Sequence, residues 1–188
     1  NRLDTMNFEQ DTLSTNNVKM PSLRYATESF GDQWEFNALV DYVKKWNDDK
    51  KFEAGVKMIV RDDLDGFNRT NTDINTGIPT LDPLSINEFL YSEDIFAAYA
   101  NYGFKKGPWG FQLGLRAEQA NIEAKQITQD STFVNDYFQV YPSAFMTYEI
   151  ARGRELNFSY SRRVQRPGGR QLNPFIDYSD PFNLRQGN

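Results

Sequence analysis

The chain has 188 residues and contains neither cysteine nor histidine. It therefore has no thiol nucleophile, no zinc site of the Cys/His kind and no imidazole base. A net charge of −5 argues against nucleic acid as a partner, because non-specific attraction to phosphate backbones needs positive charge. No apolar run reaches the ~18 residues of a transmembrane helix, and the start lacks a basic-then-apolar leader, as expected of a mature segment.

Residues 1–33 are rich in Asn, Thr, Asp and Ser, hold no period for long, and are read as loop-rich. From Trp34 the pattern tightens. Trp34, Phe36, Ala38, Val40 and Tyr42 alternate with Glu35, Asn37 and Asp41, with Leu39 as the exception, and Phe52, Ala54, Val56, Met58 and Val60 follow beyond the turn chemistry of Lys44–Lys50. These form a hairpin. Asp62–Glu93 is polar with dispersed apolar residues and is read as a long connection.

The clearest alternation comes next. Phe96, Ala98, Ala100, Tyr102 and Phe104 oppose Tyr99 and Asn101. Lys105-Lys106-Gly107-Pro108 turns the chain, and Phe111, Leu113 and Leu115 then oppose Gln112, Arg116 and Glu118. After a second longer connection near Ile122–Asp136, Phe138, Val140, Ala144, Met146 and Tyr148 oppose Gln139, Tyr141, Thr147 and Glu149. Past the Ala151–Arg154 turn, Leu156, Phe158 and Tyr160 oppose Asn157, Ser159, Ser161 and Arg163. Residues 167–188 read as loop.

Side chains of a strand point to opposite faces at every step, so this alternation describes a sheet between two different surroundings. The expectation is an all-β chain of about six antiparallel strands over 34–166, a segment of a transmembrane barrel with an apolar lipid-facing set and a polar lumen-facing set. A mean hydropathy of −0.70 is compatible with this, since barrel strands give lipid only alternate positions. Short and long joins alternate, as short periplasmic turns and long extracellular loops would, and aromatics gather near the short turns as an interfacial girdle does. A soluble β-sandwich or jelly roll also wets one face of each strand and stands as the alternative.

Candidate chemistry is sparse, and no catalytic, cofactor or metal residue is assigned. Asp62, Asp63, Asp65 and Gly66 resemble the opening of a calcium loop, but Arg61 occupies the first ligand position. Asn71, Asp73 and Asn75 are oxygen donors in the same stretch. Arg162, Arg163, Arg166 and Arg170 flank Gly168-Gly169 and have the chemistry to contact phosphate, although a solvated strand end or pore wall is the plainer reading. Arg162 falls on the apolar side by parity. Pro142 has no donor for a ladder, so a local bulge is expected there.

Asp94-Ile-Phe-Ala-Ala-Tyr-Ala100, Gly114-Leu-Arg-Ala-Glu118, Tyr141-Pro-Ser-Ala-Phe145 and Ser159-Tyr-Ser-Arg-Arg163 follow one another in this order. With the tail Arg166-Pro167, Leu172-Asn-Pro-Phe175, Asp180-Pro181 and Gly187-Asn188, they resemble outer-membrane β-barrels of the TonB-dependent-receptor type found in Bacteroidetes. The resemblance covers about residues 34–188. It implies an incomplete barrel, since six strands cannot close the large barrel of that family, and the segment 167–188 would be the start of an extracellular loop. It also implies a bacterial outer-membrane location and uptake of a large nutrient such as an iron chelate, glycan or peptide, without enzymatic activity. Implied partners are membrane lipid, the rest of the barrel with its plug domain, and TonB through an N-terminal part outside this chain; a surface lipoprotein over the loops is left open. A non-transporting scaffold or adhesin barrel is the remaining alternative.

Overall fold

Strand alternation extends well past the apolar stretches. The structure, a computed structural model, describes residues 2–13, 19–177 and 185–187. The chain runs through β1 (Arg2–Leu13), β2 (Lys19–Asn47), β3 (Lys50–Thr72), a short β4 (Pro79–Leu81), β5 (Asn87–Lys106), β6 (Trp109–Gln126), β7 (Ser131–Ala151) and β8 (Arg154–Ser161). A one-turn helix α1 (Gly169–Leu172) and a two-stranded ribbon of β9 (Ile176–Asp177) and β10 (Arg185–Gln186) complete it.

The sheet has 8 strands rather than the expected six, all antiparallel, in the order β1-β2-β3-β5-β6-β7-β8 with β4 beside β3. It is open among the described residues, with β1 and β8 at its edges. The stretch 1–33, expected to be loop, is strand wherever it is described. The expected connection Asp62–Glu93 shrinks to 73–86, and the one near Ile122–Asp136 to the turn Ile127–Asp130. Asp180, Pro181 and Asn188 of the tail pattern lie outside the described residues.

These corrections share one cause. On the face holding Val60, Phe96 and Phe138, the next positions up each strand are Asp62, Asp94 and Asp136, so the apolar set of that face ends while backbone pairing continues. Ladder hydrogen bonds do not depend on side-chain polarity, and a strand whose alternation breaks off reads as loop. At the opposite end β2–β3, β5–β6 and β7–β8 join by tight turns. Gly107 and Gly153 take φ of 59° and 78° there, a conformation open to glycine at little steric cost.

Cross-strand register unites the alternating sets into two continuous faces. Phe52 pairs Tyr102, Ala100 pairs Leu115, Leu113 pairs Ala144 and Met146 pairs Phe158, all on one side. That apolar side lies bare, with Leu115, Phe138 and Phe158 each more than half exposed. The core sits on the other, polar side, at the end away from the tight turns. Phe89, Tyr91, Ile122 and Ala124 form it, with Tyr137 and Leu172 packed against them. Leu172 belongs to the tail, which folds back across the sheet.

Candidate functional site

The tail reaches the polar face because β8 ends early. Arg162 N donates to Pro142 O at 3.1 Å. A strand residue directs its N–H and C=O to the same side, so the proline nitrogen also faces β8 and has no hydrogen to return. The last ladder pair is Ser143 with Ser161, and the chain leaves the sheet. No register shift occurs at Pro142, so the expected bulge is absent; the irregularity of this ladder lies between Glu149 and Ala151. Departure from the strand also moves Arg162 off the apolar side. Its Nη2 reaches Gln139 Oε1 at 3.4 Å and its guanidinium lies over the Tyr141 ring, both on the polar face.

From there a strap spans four strands. Arg166 Nε donates to Tyr137 Oη at 2.6 Å and its Nη2 to Glu118 Oε2 at 2.5 Å, joining β7 and β6. Tyr91 Oη on β5 donates to Pro167 O at 3.5 Å, and Gly169 lies against the Tyr91 ring, where even an added Cβ would come within 3.0 Å. Phe175 meets Phe67 of β3 with ring centroids 5.6 Å apart. Gly187 N closes onto Asn173 O at 2.9 Å, tying the ribbon to the strap.

The carboxylates nearest the strap are paired. Glu118, nearly buried, is held by Arg116 on its own strand as well as by Arg166. Arg61 donates through Nη2 to Glu35 at 2.6 Å and approaches Glu93 at 3.6 Å. Such pairs fix side chains in place, which a wall of defined shape requires.

The structure puts the residues read as lipid-facing, Phe96, Ala98, Ala100, Tyr102, Phe104, Phe111, Leu113, Leu115, Phe138, Val140, Ala144, Met146, Tyr148, Leu156, Phe158 and Tyr160, on the one bare side. Tyr99, Asn101, Gln112, Arg116, Glu118, Gln139, Tyr141, Thr147, Glu149, Asn157, Ser159 and Ser161 share the other. Tyr99, Arg116 and Tyr141 fall in one cross-strand row, and Thr147 Oγ1 bonds Asn157 Oδ1 at 2.9 Å. Arg163 lies past β8, at the rim of a recess with that row. Near the tight turns, the aromatic rings of Trp46, Tyr102, Phe104, Phe111, Trp109 and Tyr148 contact one another in sequence as a belt on the bare side.

Other sequence candidates have structural duties. Asp62, Asp63, Asp65 and Gly66 are strand residues of β3, with Gly66 beneath the Phe30 ring. Asp73 Oδ1 accepts from the backbone N–H of Asn75 and Thr76, both at 2.8 Å, and these bonds hold its carboxyl below the usual range. Asp82 caps the single 3-10 turn Pro83–Ser85; burial works to raise its pKa, but bonds from Leu84, Ser85 and Asn71 outweigh that and lower it. Of the anchors of the strap, Arg166 figures in the sequence only as a phosphate candidate and Phe175 only as part of the tail pattern, whereas nothing there marks Tyr91, Tyr137 or Phe67. Phe89, Tyr91, Ile95 and Ala97 do alternate, but Leu90 and Phe96 on the opposite parity mask the signal.

The model of the outer membrane protein beta-barrel family matches residues 1–188. No curated protein matches the sequence. Among solved structures the chain is similar to the ferric citrate transporter FecA in its unliganded form, with a TM-score of 0.54 and 16% identity. That similarity covers 82% of this chain and 23% of the other, so the chain spans about a quarter of the transporter's length. The fold is shared, and one protein's cargo is not thereby the other's. An outer-membrane barrel in the bacterial envelope accounts for the bare apolar side and the aromatic belt, and the chain belongs to the outer membrane protein beta-barrel family.

Proposed function

We propose that the sheet is part of the wall of a TonB-dependent-receptor-type barrel that takes up a large solute such as an iron chelate, glycan or peptide. In this reading the bare side faces lipid, the polar side lines the lumen, the tight turns are periplasmic and the long strands project outward. Each spanning segment needs about 9–11 tilted residues, and β2, β3 and β5 run far past that at the end opposite the turns.

The observation that best supports uptake by a gated receptor is the strap. A diffusive porin keeps an aqueous channel along its wall, whereas here Arg166, Tyr91 and Phe175 fasten chain across the polar side. The wall works by binding and steering, without catalysis. In this reading further strands, a plug and a TonB-contacting segment complete the receptor, and a surface lipoprotein over the outer end is a further partner. A soluble sandwich is the weaker reading, because among the described residues no second sheet packs on the apolar side.

The test is capture of the periplasmic domain of TonB by the full-length protein purified in detergent. Saturable capture supports a receptor. A correctly assembled barrel that fails to retain TonB overturns the reading and leaves a scaffold or adhesin.

A further inference from the structure

Below the strap, the polar face carries a recess of about 330 Å³ lined by Tyr99, Asn101, Arg116, Tyr141, Ser143, Ser161, Arg162 and Arg163 among others. Its charge runs against that of the chain. The net charge overall is −5, yet around this recess Arg116, Arg162, Arg163 and Arg166 stand against the carboxylates of Glu118, Asp41 and Glu53. All three carboxylates are engaged: Glu118 takes Arg116 and Arg166, Asp41 accepts the Tyr99 hydroxyl, and Glu53 pairs with Lys51. Among the described residues neither Arg162 nor Arg163 has a carboxylate partner. The Arg162 guanidinium lies over the Tyr141 ring and makes long hydrogen bonds, 3.3 Å to Val140 O and 3.4 Å to Gln139 Oε1, near the limit for useful geometry.

The floor is open as well. Gly114 lies between Asn101 and Ser143 in the cross-strand row, and a Cβ there would collide with Asn101 Oδ1 and Ser143 Oγ. Glycine leaves the amide and hydroxyl facing the space, and Ser161 is the direct ladder partner of Ser143. Guanidinium groups with spare donors beside hydroxyls and an amide are suited to oxyanions, which they bind bidentately with charge-assisted bonds.

We propose that this recess binds an oxyanion-bearing solute, a polycarboxylate or polyphosphate, through Arg162 and Arg163 with Ser143, Ser161 and Asn101. The site rests on the reading of this face as the lumen wall and gives the solute a chemical class. Proline termination of β8 is what creates it, since a ladder continued past Ser161 would hold Arg162 on the lipid side.

The experiment uses the full-length protein in decyl maltoside, whose micelles are uncharged, titrated calorimetrically with tricarballylate and with pyrophosphate. At least one is expected to bind in a salt-sensitive manner, and which one binds separates carboxylate from phosphate recognition. Arg162→Gln combined with Arg163→Gln should weaken binding at least tenfold, Gly114→Val should do likewise, and Arg152→Gln with Arg154→Gln at the far turn should leave it unchanged. Circular dichroism confirms that each variant keeps its β content, and Arg163→Lys, which retains charge, should recover part of the affinity. Absence of binding to either anion, or equal loss in the far-turn variant, overturns the site. Capture of TonB by a protein that ignores both anions overturns this inference alone; anion binding without TonB capture overturns the receptor reading and keeps the site.

Discussion

Pro142 and Arg162 face each other across the end of the β7–β8 ladder, and the bond between them runs one way only, from Arg162 N to Pro142 O. The missing return bond sends the chain across the polar face. Pro142→Ala supplies the donor. Residue 142 is then expected to bond Arg162 O, a gain of about 1 kcal/mol by the usual net value of such a bond. Hydrogen exchange reads this directly: the new amide at 142 should be protected like its neighbours in β7. An amide at 142 that exchanges as freely as a loop residue would refute the account of why β8 stops.

Glu118 is the joint of the strap. Its side chain is 6% exposed and that of Arg166 is 15% exposed, so Glu118→Gln leaves guanidinium charge inside without its counterion. Breaking a buried pair on one side costs about 3–5 kcal/mol. Much of this should appear locally, as opening of the strap. The Arg170–Gln171 bond, exposed and followed by no proline, should become cleavable by trypsin at least tenfold faster, while the sheet stays intact by circular dichroism. Unchanged cleavage would show that the strap is held elsewhere.

The apolar band was legible because the sequence there separates by parity. Phe96 to Phe104 and Phe111 to Leu115 each place large apolar groups on one side only, and their faces follow from strand geometry with no knowledge of partners. What lay outside that band was not legible, for two physical reasons. Asp62, Asp94 and Asp136 end the apolar set on the bare side, and past them polar residues interrupt the alternation on the other side too, so β1 and the upper parts of β2, β3 and β7 were hidden. The strap depends on contacts remote in sequence, such as Arg166 with Glu118 and Phe175 with Phe67, which no local period encodes. Pro142 was noticed as an anomaly, but which edge its nitrogen faced required the pairing register.

The connection between β3 and β5 carries a pH dependence with a definite sign. Asp73 is lowered by bonds from Thr76 and Asn75, and Asp82 by bonds that outweigh its burial. A carboxyl whose folded pKa is depressed contributes stability that is complete above its unfolded value and is lost as pH falls through the folded value. The amides of Thr76 and Leu84, which donate to these carboxyls, should therefore keep their protection through the ordinary aspartate range and lose it only below. Asp73→Asn and Asp82→Asn should remove the transition at each site. Loss of protection already at the ordinary aspartate value would contradict the assigned bonds.

Leu115 and Gln112 lie three positions apart on β6, on opposite sides of the sheet. Leu115 is 55% exposed on the bare side, between Ala100 of β5 and Pro142 of β7. If that side meets lipid, Leu115→Arg places a charge in hydrocarbon and should cost about 2–4 kcal/mol near the midplane. Gln112→Arg puts the same charge on the polar side, where water solvates it, and should change stability by less than about 1 kcal/mol. Reversible unfolding of the full-length barrel from lipid vesicles measures both. The pair is internally controlled, because strand, residue introduced and sheet are common to the two variants and only the facing medium differs. Equal costs would remove the distinction between the two media, whereas a large cost confined to Gln112→Arg would exchange the faces.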